Sequence, residues 1–177
     1  MLYVVTALKS EAQAFVEKYK LSKTKYDNFT LFEGENIKVI VSGIGVNNAK
    51  NATNTMIRYF KPESCDVFLN IGICGANKNY KIGELIPIGS VIYENRENIL
   101  NPNILNSIAC KDTEVHQYGH NIVDMESFGF YEATKEIKNR YIYKVVSDYF
   151  EPEKVTKEKT KALIFKILEE VMQKVKV

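Results

Sequence analysis

The pair Met125-Glu126 stands where a polar segment gives way to an apolar-periodic one. A carboxylate accepts two hydroxyl hydrogen bonds at once, and a thioether offers a soft, polarizable wall, so the pair suits gripping a sugar. Four other stretches carry groups of related use. Ser10-Glu11 follows a first apolar run, Ser147-Asp148 closes a late one, and glycine-rich turns occur at Ser42-Gly43-Ile44-Gly45 and Asn70-Ile71-Gly72-Ile73-Cys74-Gly75. These stretches read as the walls of one pocket.

The elements that must position them follow from pattern. Leu2 to Ala7 is a short apolar run, consistent with a buried strand. Ser10-Glu11-Ala12-Gln13 fits a capping box, with Ser10 as N-cap and Gln13 reaching back. Glu11 then lies in the first turn of a helix. It is either a helix-start glutamate favoured by the macrodipole or a carboxylate held at a strand-to-helix junction, where open α/β sheets place ligands. Asn28–Phe32 and Ile37–Val41 read as strands, and a helix follows from about Val46 to Phe60, stopped by Lys61-Pro62. The Gly43/Gly45 turn before that helix is a tight turn or a ligand-lining one. It is no dinucleotide fingerprint, because Asn48 occupies the third glycine position.

Val67–Ile71 is a further buried strand, and residues 83–93 read as strand, kink, strand, with Pro87 marking an edge or bulge. Periodicity is lost from Glu94 to Asn121 apart from a possible short helix from Pro102 to Ala109. A helix from Met125 to Ile137 and a strand from Tyr141 to Val146 come next. Asp148, just past that strand, is a turn or N-cap residue or a site residue at the carboxyl edge of the sheet. The last helix, about Thr156 to Lys174, carries an i, i+3, i+4 stripe through Leu163, Ile164, Ile167, Leu168 and Val171 that packs on the sheet.

Bulk properties narrow the partners. A chain of 177 residues with 45% apolar content is most simply one domain, residues 1–177. A net charge of +2, with charges interspersed, points to no nucleic-acid partner. No apolar run reaches membrane-spanning length, and Leu2-Tyr3-Val4-Val5 reads as a strand, not a signal peptide. Cys65, Cys74 and Cys110 share no metal spacing and read as reduced thiols of a cytoplasmic protein. His116 and His120 have the i, i+4 spacing of a zinc pair, yet Gly119 lies between them and no third ligand is evident. They read as surface or pocket-rim histidines, and no metal is expected.

The order of these pieces resembles the nucleoside phosphorylase/nucleosidase superfamily. Within it the chain is most similar to methylthioadenosine/S-adenosylhomocysteine nucleosidases. The motifs are Leu8-Lys9-Ser10-Glu11, Ser42–Gly45, Asn70–Gly75, Met125-Glu126 and Ser147-Asp148, in that order, over most of residues 1–93 and 122–175. The resemblance implies an α/β fold, a three-layer αβα sandwich around a central mixed sheet. It implies cleavage of a purine N-glycosidic bond in a small-molecule nucleoside, with no cofactor, and a homodimer. By the same resemblance Glu11 activates water, Glu126 and Met125 hold the ribose, and Asp148, oriented by Ser147, feeds a proton to N7 of the leaving base. Leu8, Gly72 and Ile73 complete the lining.

Such a reaction builds positive charge on the sugar and negative charge on the base. A carboxylate beneath the first and an acid at the second are therefore the groups it needs. A phosphorylase of this superfamily needs arginines near the first-strand loop and the Asn70–Gly75 turn. Residues 6–13 and 70–80 contain none, which favours water as the nucleophile. The chain departs from the family pattern in two ways: it is shorter between Tyr93 and Met125, and Ile73 stands where a serine is usual. For the residue that stacks on the purine, Tyr118 and His116 are candidates. A phosphorylase, or a nucleoside-binding protein without turnover on the same scaffold, are the alternatives.

Overall fold

A computed structural model of the chain describes residues 1–117 and 119–175. Strand β1 (Leu2–Thr6) is buried at every position and leads through two residues into α1 (Lys9–Tyr19). An antiparallel pair, β2 (Ser22–Tyr26) and β3 (Phe29–Glu33), returns the chain to β4 (Ile37–Val41), which lies parallel to β1. Helix α2 (Val46–Phe60) then crosses to β5 (Val67–Ala76). Short strands β6 (Leu85–Pro87), β7 (Ser90–Tyr93), β8 (Arg96–Ile99), β9 (Ser107–Cys110) and β10 (Ile122–Asp124) follow. Helix α3 (Ser127–Ala133), β11 (Asn139–Asp148) and α4 (Lys157–Val175) complete the chain.

The strands form one mixed sheet with α1 and α4 on one face and α2 and α3 on the other, the three-layer αβα arrangement. Side-chain alternation along β1 decides which residue faces which layer. Leu2 and Val4 pack with Phe15 of α1 and Ile164, Leu168 and Val171 of α4. Tyr3 and Val5 pack with Ala52 and Met56 of α2 and Phe130 of α3. The stripe read on the last helix is therefore core, as expected, although Leu163 is only half-buried.

The sheet forks at β5. Along Val67–Asn70 this strand pairs with β1 on one side and β11 on the other. At Gly75 and Ala76 the partner on the β1 side is instead β10, running antiparallel, while β11 continues on the other. Between Asn70 and Gly75 that edge of β5 has no strand beside it among the described residues. Its backbone groups there need other partners, and a gap opens between two diverging strands.

Several boundaries differ from the sequence reading. Leu8, not Ser10, is the N-cap of α1, because it is Glu11 that reaches back to the chain before the helix. The expected helix over Pro102–Ala109 is absent. Ile108, Ala109 and Cys110 form β9 instead, buried between β7 and β10, so pairing with distant strands outweighs local pattern. Strand β2 (SKTKY) is mostly exposed and shows no apolar alternation to read. Helix α3 is shorter than expected. The Asp124 carboxylate accepts the Ser127 N–H at 2.9 Å, so the helix starts after Glu126 instead of at Met125. Pro87 lies, as expected, on an edge strand: among the described residues β6 pairs only with β11.

Helices α2 and α3 approach so closely that only glycine fits at position 129. A Cβ built there would lie 2.0 Å from the Val46 carbonyl oxygen and 2.9 Å from the Lys50 nitrogen, both backbone atoms of α2. Replacing Gly129 with alanine must push the helices apart. We expect Gly129→Ala to cost about 1–3 kcal/mol in denaturant unfolding, the range for overpacking. An unchanged midpoint would mean that the helices do not meet at this point.

Candidate active site

Glu11 sits across the fork. Its Oε2 accepts the N–H groups of Ala7 and Leu8, both at 2.9 Å, and its Oε1 accepts the N–H of Ile73 at 2.9 Å. The last of these belongs to the stretch of β5 left without a strand neighbour. Gly72 makes the approach feasible, since a Cβ there would lie 2.8 Å from Glu11 Oε1. Three of roughly four acceptor sites on the carboxylate are occupied, which leaves one for a water molecule. Burial raises the pKa of Glu11 despite the opposing help from the Leu8 and Ile73 N–H groups and from the charge of Lys144.

Glu126 is placed from the other side. It precedes α3, and its Oε1 accepts the Gly45 N–H at 3.0 Å. Gly45 has φ +107° and Gly43 φ +85°, backbone conformations that L side chains rarely adopt, so this turn requires both glycines. Its work here is to aim one N–H at Glu126, while Ile44 lines the cavity. Burial, reinforced by the negative charge of Asp124, lifts Glu126 to about 7, against the pull of Lys144 and the Gly45 N–H.

Asp148 arrives through a bulge. Val146 pairs with Cys74 and Asp148 with Gly75, so Ser147 is the extra residue of β11. Asp148 thus belongs to the strand instead of following it. Its Oδ1 accepts the Glu151 N–H at 2.9 Å, and its Oδ2 lies 2.6 Å from the Ser147 hydroxyl, which is also 3.1 Å from the Cys74 carbonyl. That hydroxyl has one proton and two acceptors. It donates to an ionised Asp148, or turns to Cys74 and accepts from a protonated one, so both states of the acid are served.

Leu8, Glu11, Ile73, Met125, Glu126, Ser147 and Asp148 all line one cavity of about 260 Å³. Gly72 stands behind the wall, where it makes room for Glu11. Thr113, Glu114 and Val115, from the stretch without periodicity, close another side. His116 is exposed, between Glu114 at 3.8 Å and Glu153 at 3.9 Å, and does not line the cavity. Tyr118 lies outside the described residues.

The sequence reading passed over Lys144 and Asp124. Lys144 Nζ lies 2.8 Å from Asp124 Oδ2, with both side chains 1% exposed. Asp124 also accepts the Ser127 hydroxyl at 2.6 Å. Burial works against the charge on Lys144, but Asp124, Glu126 and Glu11 together outweigh it and hold its pKa above the usual lysine value. The signal was present: Lys144 is the charged residue inside the apolar run Ile142–Val146, and Asp124 stands two residues before Glu126.

No protein-family model matches the sequence. No curated protein matches it either. The fold is nevertheless that of nucleosidases of the purine-nucleoside type, matched over the whole chain. The 5′-methylthioadenosine/S-adenosylhomocysteine nucleosidase of Neisseria meningitidis, solved with methylthio-immucillin-A, superposes with a TM-score of 0.78 at 18% identity, covering 98% of each chain. The corresponding enzyme of Helicobacter pylori, with butyl-thio-DADMe-Immucillin-A, gives 0.80 at 15% identity over 98% of this chain and 97% of that one. Futalosine hydrolase of Helicobacter pylori gives 0.80 at 16% over the same shares. At these identities the likeness is one of fold.

Two outcomes test the site's electrostatics. Lys144→Met strands the Asp124 carboxylate in the interior and should cost on the order of 3–5 kcal/mol in denaturant unfolding. Ordinary stability in that variant would show that the ion pair is dispensable. The raised pKa of Glu126 means that the folded chain binds more protons than the unfolded one between the ordinary glutamate value and about 7. Stability held below that window should therefore fall as pH rises through it. Unfolding measured from pH 5 to 8 should show a smaller fall in Glu126→Gln than in the parent chain, and equal falls would exclude Glu126 as the titrating group.

Proposed function

We propose that the chain is a purine nucleosidase hydrolysing the N-glycosidic bond of a 5′-substituted adenosine of the methylthioadenosine or S-adenosylhomocysteine type. The observation that carries this reading is the convergence of Glu11, Glu126 and Asp148 on one cavity within a nucleosidase fold. The ribose lies against Met125, with its hydroxyls on the Glu126 carboxylate. The base points to Asp148 and Ser147. Glu11 holds a water molecule through its remaining acceptor site.

In the reaction the bond between C1′ and the base nitrogen breaks and its electron pair leaves with the base. Asp148 gives a proton to N7, which relieves the charge growing on the purine. The water oxygen bonds to C1′ as its proton passes to Glu11, whose raised pKa makes it the better acceptor. The carboxylates of Glu11 and Glu126 flank the sugar, where positive charge develops. Neither Lys nor Arg occurs among the described residues that line the cavity, which supports water over phosphate as the nucleophile. Solved proteins named for different nucleosides share this fold, so the 5′ substituent is selected by side chains and not by architecture. A homodimer belongs to the same proposal.

The decisive experiment incubates the protein with methylthioadenosine, S-adenosylhomocysteine, adenosine and inosine, with and without phosphate, and follows free base. We expect base release from a 5′-substituted adenosine without phosphate. Glu11→Gln and Asp148→Asn should each lower kcat by at least about 10²-fold while the fold persists. Base release that needs phosphate would make the protein a phosphorylase. Tight nucleoside binding with no base release would make it a binding protein.

A further inference from the structure

A second hollow of about 490 Å³ adjoins the first across a shared wall of Ser147, Asp148 and Val155. It lies between α4 and the chain after β11, with Ile82 at its edge. None of the sugar-side groups reaches it: Leu8, Glu11, Met125 and Glu126 line only the first cavity. The hollow therefore lies on the Asp148 side of the first cavity. Its surface is mainly apolar, with Leu163 half-buried in the wall and Ile82 48% exposed. Leu163 also packs against Gly83, whose φ of +85° turns the chain beside Ile82.

The charge around this surface has one sign in excess. Lys154, Lys159 and Lys166 line it, with Glu151 and Asp148 as the acids. Glu151 is paired with Lys154, and Asp148 is engaged by Ser147 and the Glu151 N–H. Lys159 and Lys166, seven residues apart on α4, make no ion pair among the described residues. The neighbouring Lys161 is bound to Glu17 at 3.0 Å and Lys174 to Glu170 at 3.5 Å. An apolar trough with two uncommitted ammonium groups suits a short carbon chain that ends in a carboxylate.

We propose that this hollow is a substrate subsite for a carboxylate-bearing chain attached to the exocyclic nitrogen of the purine. The inference rests on the reading that Asp148 meets N7. On a purine the exocyclic nitrogen at C6 is the substituent next to N7, so a chain on that nitrogen passes the acid and enters the trough beyond it. Such a chain gains contact with Ile82 and Leu163 and places its carboxylate near Lys159 and Lys166. The natural substrate is then a 5′-substituted adenosine that also carries an acidic chain on its amino group.

Calorimetric titration with free bases tests this separately from turnover. The ligands are adenine, N6-(carboxymethyl)adenine and its neutral counterpart N6-(carbamoylmethyl)adenine, at low salt and at about 0.5 M salt, where screening reaches within a few ångströms. In the parent chain the carboxylate should bind roughly five- to tenfold tighter than the amide, as two exposed charge pairs allow, with the gap closing in high salt. In the doubly charge-reversed chain K159E/K166E the preference should invert, each protein serving as its own control for folding. Equal affinity for carboxylate and amide in the parent chain, or a preference that survives the reversal, overturns the subsite alone. Failure of adenine itself to bind overturns the purine reading, and the subsite with it.

Discussion

The carboxylate of Glu11 resolves a problem that the sheet creates. Where β1 and β10 diverge from the same edge of β5, a partly buried backbone N–H at Ile73 has no strand beside it among the described residues. An unpaired buried donor is costly, so something polar must come to it. Glu11 does so from the first turn of α1 and binds Ala7 and Leu8 with its other oxygen, tying the end of β1 to the middle of β5. The gap that would weaken an ordinary sheet becomes a cavity with a carboxylate at its base. Gly72 is the complementary part, because any larger residue would occupy the space of that oxygen.

A second carboxylate is brought in by helix packing. Gly129 lets α3 press on the backbone of α2, and this holds Glu126 beside the Gly45 N–H at the start of α2. One turn with two glycines of unusual backbone conformation, one close helix contact and one hydrogen bond fix its position. The cluster would be strongly repulsive without Lys144, whose ammonium group is buried among Asp124, Glu126 and Glu11. One interior cation thus faces several acids. Burial in that field lifts Glu126 to about 7, and burial also raises Glu11. An environment that stabilises a developing cation on a sugar is the same one that makes its own carboxylates reluctant to ionise.

Much of this was legible before the structure. The boundaries of α2 and β4 agree with the pattern, and the three acids, two read after strands and Glu126 read at a helix start, line one cavity. The misreadings fall where long-range pairing decides. Residues 107–110 pair in parallel with β7 and β10, partners whose positions no local window contains. Asp124 was overlooked because its roles, capping α3 and neutralising Lys144, involve groups on two elements at once.

By itself the sequence determined the inventory: which residues can grip, donate or accept, and which runs prefer strand or helix. Those properties depend on side-chain chemistry and on periods of two and 3.6 residues, all local. Tertiary structure alone decided what each group faces. The fork at β5, the bulge at Ser147 and the contact at Gly129 depend on how distant strands and helices meet. The charge state of each buried acid follows from those meetings, because desolvation and neighbouring charge are properties of a place in the fold and not of a residue type.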